Sequence, residues 1–317
     1  MKYLMTFALS VLPLFAAAQD FPQRPIRLIL GVAPGGGQET IIRGMTPKLL
    51  KTLGVNLIVD NRPGGSGAIA VEIAKQAAPD GYTLLMISAS QIINPLVSGA
   101  PYDIPRDFSP VTQIITQPYL LVATPSLPVK SVADLISYGK SNPGKLNFGS
   151  AGNATVTHLA AELFRDRARF DATHIPYKGS GALYPDLIAG RVQWAFATIN
   201  SSQGHVKANR LRALAISSAN RSNAAPAIPT LAESGLPGYA VTQWYGVLAP
   251  AKTPRPIVTR LNTGFVAVID DPEMAGHFAK DGAEGASSTP QQFAAFLKSE
   301  QQRWGSLVSA AGLKSSK

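Results

Sequence analysis

No cysteine occurs anywhere in this 317-residue chain, which excludes disulfides, thiolate nucleophiles, thiolate metal ligation and a lipid anchor on cysteine. Beyond residue 18 there is no run of 18 or more apolar residues, so no membrane-spanning helix is expected there. Charged side chains make up only 15% of the chain, and Lys and Arg are scattered rather than massed on one helix. A nucleic-acid partner is therefore not expected. The four histidines, His158, His174, His205 and His277, stand singly, and no pair has H-x-x-x-H spacing. Neither a metal nor a cofactor is expected.

Two glycine-rich turns lack the signatures that would make them nucleotide or hydrolase sites. The first has no G-x-x-x-x-G-K-[ST] pattern, and Thr40 stands where the last glycine of G-x-G-x-x-G belongs. Around Ser150 the sequence Gly149-Ser150-Ala151-Gly152 is not the G-x-S-x-G elbow. No catalytic residue is assigned.

What is present begins with a secretory signal: Lys2, an apolar run over 4–15, then Ala16-Ala17-Ala18 before Gln19. Its removal takes away only Lys2 and lowers the formal charge from +10 to +9. The mature chain is expected to be exported, soluble and periplasmic. A 45% hydrophobic content is ample for a core, and the length suggests two domains.

The organising stretch follows. An apolar run over 26–32 reads as a buried strand, Gly35-Gly36-Gly37 as a tight turn, and 38–53 as an amphipathic helix. The N-terminus of that helix offers unpaired N–H groups and partial positive charge to an anion. The turn equally serves close helix packing. Further strands are expected at 56–60 and 83–87, with Ser88-Ala89-Ser90 at the C-terminal end of the latter, where ligands collect in open α/β sheets. The pattern restarts near 118–124. Strands are expected at 119–123, 146–148, 173–177, 193–198, 211–217 and 244–249, with helices at 68–76, 131–141, 158–167, 182–189, 202–209, 254–270, 272–281 and 290–311.

The expected fold is α/β in two lobes, each a mostly parallel sheet flanked by helices. The divisions are 1–18 signal, 19–120 with 241–317 as lobe 1, and 121–240 as lobe 2. Two chain crossings make a hinge, and the two glycine turns face one cleft. In the second turn Ser150, Asn153, Thr155 and Thr157 add donors to the backbone N–H groups, enough to hold a carboxylate without a buried cation. Helix capping is the commoner use of such residues. His158 reads as packed inside its helix, and Trp244 and Tyr245 either wall the cleft or pack the hinge.

The residues also resemble one family. Phe21-Pro22-Gln23-Arg24-Pro25-Ile26, Pro34-Gly35-Gly36 with Glu39 and Arg43, Asn61-Arg62-Pro63-Gly64 and Pro79-Asp80-Gly81-Tyr82 open the likeness. Gly149-Ser150, Thr155, His158-Leu159-Ala160, Pro176-Tyr177-Lys178-Gly179 and Trp244-Tyr245-Gly246 continue it. The chain resembles the Bug-type substrate-binding proteins, extracytoplasmic receptors of tripartite tricarboxylate transporters. The resemblance implies a monomeric "Venus flytrap" that closes on a small carboxylate and is read by a membrane permease. It also implies two pincer loops joined to the ligand by ordered waters, mapping onto 33–38 and 150–155.

The ligand-binding set is accordingly Ala33, Gly35, Gly36, Gly37 and Gln38; Ser88, Ala89 and Ser90; Ser150, Ala151, Gly152, Asn153 and Thr155; and Tyr177, Ala197 and Trp244, the last as an apolar wall. Three departures from the family pattern stand out. Glu39 replaces an aspartate, Ala154 a glycine, and Gln193 and Ala197 stand where acids are frequent. Missing acids imply a ligand without an α-amino group. The rival classes are a ligand sensor, an exported enzyme using His158 or Glu39 as base, and a receptor turned interaction protein.

Overall fold

A computed structural model describes residues 21–313 except 36, 154, 178 and 311. The signal expected over 1–18, the site residue Gly36 and the substitution at Ala154 lie outside the described residues.

The chain starts as β1 (Ile26–Leu30), α1 (Gly37–Leu53), β2 (Leu57–Asn61), a single 3-10 turn (Gly65–Gly67), α2 (Ala68–Lys75), β3 (Thr83–Ile87), α3 (Ala89–Ser98) and α4 (Ile104–Asp107). A long strand β4 (Phe108–Ala123) leads to α5 (Val132–Ser141), β5 (Asn147–Ser150), α6 (Val156–Ala168), β6 (Thr173–Pro176), α7 (Ser180–Ile188), β7 (Trp194–Thr198), α8 (Ile199–Lys207) and β8 (Arg212–Ile216). The return runs through β9 (Thr242–Pro250), α9 (Arg255–Ile269), α10 (Pro272–Lys280), β10 (Glu284–Gly285) and α11 (Pro290–Ala310).

Among the described residues the strands run in the order β2-β1-β3-β9-β4-β7-β5-β6, with β8 and β10 pairing to β4 off that path. Two halves share β4. Its residues up to Pro118 pair with β9, and from Tyr119 onward it pairs with β7 and β8. The outer strands are parallel as expected: β1 with β2 and β3, and β5 with β6 and β7. The strands that link the halves are antiparallel, so each sheet is mixed. A chain that crosses over and comes back must run both ways, which is why β4 and β9 oppose each other.

Helices cover both faces of both halves, consistent with the near-continuous burial of β1 and β3. One face of the first half packs α1, α9 and α10 through Ile41, Leu49, Leu261, Phe265 and Phe278. The opposite face packs α2, α3 and α11, and its core runs on without a break into α5 and α6 of the second half. The remaining face of the second half packs α7 and α8.

The crossings are knit by one hydroxyl. Ser217 Oγ donates to the Val241 carbonyl at 2.5 Å and accepts the Tyr119 N–H at 2.8 Å, joining the outgoing strand to the returning one.

Three differences from the sequence reading have local causes. Residues 88–90 are not a loop: Ser88 caps α3, with the Gln91 side chain accepting the Ser88 N–H at 2.9 Å and Ser88 Oγ accepting the Ser90 N–H at 3.3 Å. Pro95 inside α3 hid that helix. Pro110 and Pro118, with register shifts at 110–112 and 113–115, broke the alternation of β4 over 108–118.

Candidate functional site

Parallel neighbours end at a common edge, so the turns after β1, β2 and β3 share one rim, and those after β5, β6 and β7 share another. A cavity of about 260 Å³ lies between the halves. From the first half it meets Gly37 and Ile41 of α1, Gln117 of β4, Tyr245 of β9 and Asp281. From the second it meets Thr198, Asn200 and Ser201 at the start of α8. Across it, Asn200 Nδ2 donates to Asp281 Oδ1 at 3.1 Å.

Gly37 lies close against Tyr245: a Cβ there would stand 2.9 Å from the Tyr245 hydroxyl, which would have to move. The first N–H groups of a helix have no acceptor inside it, so α1 presents donors and positive partial charge at this point. Gln38, 2% exposed, keeps its Oε1 without a partner among the described residues. Gly35 behaves otherwise. Its N–H donates to Glu39 Oε2 at 2.6 Å, and Glu39 Oε1 accepts from Arg43 at 2.5 Å. These bonds hold the Glu39 carboxyl below the usual glutamate range. The extra methylene of Glu39 is thus spent inside the loop, and the Gly35 N–H is not offered to a ligand. Ala33 is exposed on the same loop.

The second turn is bonded to itself. Ser150 Oγ, fully buried, lies 2.7 Å from His174 Nε2 and donates to the Gly152 carbonyl at 2.9 Å. The Ala151 N–H donates to Thr157 Oγ1 at 3.1 Å, and Thr155 Oγ1 donates to the Gly152 carbonyl at 2.8 Å while capping α6 through the His158 N–H. Asn153 is exposed. None of the described residues of 150–155 lines the 260 Å³ cavity, which is met instead by the start of α8. His158 is buried, stacked 3.7 Å from His174, with its Nε2 3.6 Å from Glu162. Burial, with His158 beside it, pushes His174 down to about 4.

Three of the expected contacts lie away from this cavity. Trp244 is no cleft wall: it is fully buried, edge-on to Phe293 and Phe296, and its indole N–H donates to Glu300 Oε2 at 2.8 Å. Side chains alternate along β9, so its neighbour Tyr245 takes the cleft side. Ala197 packs into the core beneath α7 and α8, leaving Thr198 at the rim. Ser88 and Ala89 are buried at the start of α3, and neither they nor half-buried Ser90 line the cavity. Tyr177 is half-buried; its hydroxyl donates to Asp186 at 2.8 Å, and burial followed by that carboxylate pushes its pKa up to about 12. The acid-poor positions carry no argument about the ligand. Gln193 spans Asn147 N and the Gly190 carbonyl, and Ala197 faces inward.

Asn200, Ser201, Gln117 and Asp281 escaped the sequence reading. A polar run, Thr198 to Ser202, directly after a buried strand was the available signal for the first two; Asp281 follows a helix end and has none.

The sequence model of the tripartite tricarboxylate transporter family receptor matches residues 41–313. This chain belongs to that receptor family. The receptor is 34% identical to BugT of Bordetella pertussis, across 98% of this chain and 99% of that one. Among solved structures it is similar to an R. palustris protein with adipate, at 35% identity and TM-score 0.80 over 92% of this chain and 99% of that one. It is similar also to MatC of Rhodopseudomonas palustris with bound malate, at 29% identity and TM-score 0.76 over 91% and 100% of the respective chains. The fold is the two-lobe periplasmic-binding-protein fold, and the receptor is a Bug-type solute-binding protein. Among the described residues no helix is long and apolar enough to cross a membrane, and no cluster of side chains has metal-site composition.

Proposed function

We propose that the receptor is exported by its signal at 1–18, works as a periplasmic monomer, and delivers a small carboxylate lacking an α-amino group to membrane permease subunits. The lobes 19–120 with 241–317 and 121–240 close on the ligand about the Tyr119–Ser217–Val241 stitch. One observation carries this reading: an inter-lobe cavity opens on the N-terminus of α1. A carboxylate gains there from several N–H donors and the helix field.

Gln38 Oε1 has no partner among the described residues, but it is buried and Gln38 does not line the cavity, so the N–H groups of the helix end carry the reading. An α-ammonium would sit beside that positive helix end. Glu39, the acid of the loop, already has its oxygens committed to the Gly35 N–H and to Arg43.

Binding without catalysis fits the same geometry. The Ser150 hydroxyl is buried and engaged, His158 is stacked under the turn, and Glu39 is paired.

The test is a thermal-shift screen of refolded mature protein against mono-, di- and tricarboxylates, aromatic acids and amino acids. A ligand at about a hundred times its dissociation constant adds about 2.7 kcal/mol, a shift of several degrees. A hit among non-amino carboxylates is expected. A response to α-amino acids alone overturns the claim about the α-amino group, and silence across the panel overturns the carboxylate reading.

A further inference from the structure

Among the described residues the cavity has one acidic wall and no basic one. Asp281, just past the end of α10, is the only carboxylate among the described residues that line it, and no Lys, Arg or His joins them. Its Oδ1 takes the Asn200 amide, while its Oδ2 accepts no hydrogen bond among the described residues. The lobe-2 hydroxyls nearby are already occupied: Ser201 Oγ lies 2.7 Å from Thr198 Oγ1 and 2.5 Å from the Tyr184 hydroxyl. Ile41, Ile115 and Ala283 make much of the remaining wall aliphatic.

We infer that Asp281 sets the ligand class: a carboxylate with an aliphatic body and a hydrogen-bond donor, hydroxyl or ammonium, at its far end, rather than a second carboxylate. The inference rests on the carboxylate-receptor reading above. With the near carboxylate at the start of α1, the far end meets Asp281. A donor there gains a charge-assisted bond to Oδ2. A second carboxylate meets a like charge in a confined site, with no cation among the described lining residues to offset it and with hydroxyls that are already committed. The adipate-bound R. palustris protein shows that a relative accommodates a dicarboxylate.

The test is isothermal titration calorimetry of mature wild type, Asp281→Asn and Asp281→Glu. Each is titrated with succinate, γ-hydroxybutyrate and γ-aminobutyrate, and with adipate, ε-hydroxycaproate and ε-aminocaproate. Wild type is expected to bind a hydroxy or amino acid at least about tenfold more tightly than the dicarboxylate of equal length. Asp281→Asn should cut that ratio about tenfold, partly by gaining affinity for the dicarboxylate, and Asp281→Glu should keep the preference. Tighter binding of a dicarboxylate by wild type, or an unchanged ratio in Asp281→Asn, overturns the inference while leaving the receptor reading intact. Wild-type binding of none of the six overturns the inference, while the receptor reading falls only if the broader thermal-shift panel is also silent. The wild-type ratio decides alone if the asparagine variant does not fold.

Discussion

Glu39 Oε2 accepts the Gly35 N–H at 2.6 Å, so the loop after β1 is tied to the first turn of the helix it feeds. The carboxylate also faces Arg43, one turn further on. Glu39→Ala frees the Gly35 N–H and loosens 33–38, and affinity for the carboxylate ligand should fall about tenfold or more through lost pre-organisation. Calorimetric titration reads that loss. Because the Glu39 pKa is lowered in the folded state, its contribution is fully present above the ordinary glutamate pKa of 4.5 and disappears as pH falls through the lowered value.

Gly37 tests the same helix end sterically. Its Cβ position lies 2.9 Å from the Tyr245 hydroxyl, so Gly37→Ala pushes that side chain and narrows the cavity. Affinity should drop about tenfold, while stability in urea changes by no more than about 1 kcal/mol. Equal affinity for the variant would place the ligand away from α1.

Much of this architecture was legible because the relevant signals are local. The strand at 83–87 matches residue for residue, and α6, α9 and α10 lie within two residues of expectation. Ser131 caps α5 through the Asp134 N–H at 3.1 Å, at the expected start of that helix. Proline hid α3 and the first part of β4, and those losses matter to function. Ser88 is a buried helix cap, and residues 88–90 do not line the cavity. The site was half legible. A glycine turn advertises a helix N-terminus, but whether Trp244 or Tyr245 faces the cleft depends on strand phase against α11. Asp281 enters only because β10 lies against β4.

Glu300 explains where the tryptophans went. Its Oε2 accepts the indole N–H groups of Trp244 at 2.8 Å and Trp304 at 2.9 Å, while Arg303 pairs with its other oxygen. Glu300→Ala leaves two buried donors unpaired and should destabilise the fold by about 3 kcal/mol, read by urea unfolding. Glu300→Gln keeps an acceptor and should cost less. Ligand selectivity should be unchanged in both.

His174 predicts an acid-sensitive second lobe. Its folded pKa of about 4 lies below the ordinary 6.5, so between those values the unfolded chain binds the extra proton. Its contribution is complete above about pH 6.5 and is lost as pH falls toward 4. The half-buried ring makes the loss about 1–3 kcal/mol. Urea midpoints of wild type and His174→Gln, measured across that range, should show a smaller pH slope in the variant.

A crystal structure of the mature receptor with the strongest carboxylate from the thermal-shift screen tests the central claim most directly. The ligand should lie between the lobes with one carboxylate at the N-terminus of α1, bonded to first-turn N–H groups directly or through one water. A ligand bound outside the cleft, or in it with its carboxylate away from α1, would contradict the account.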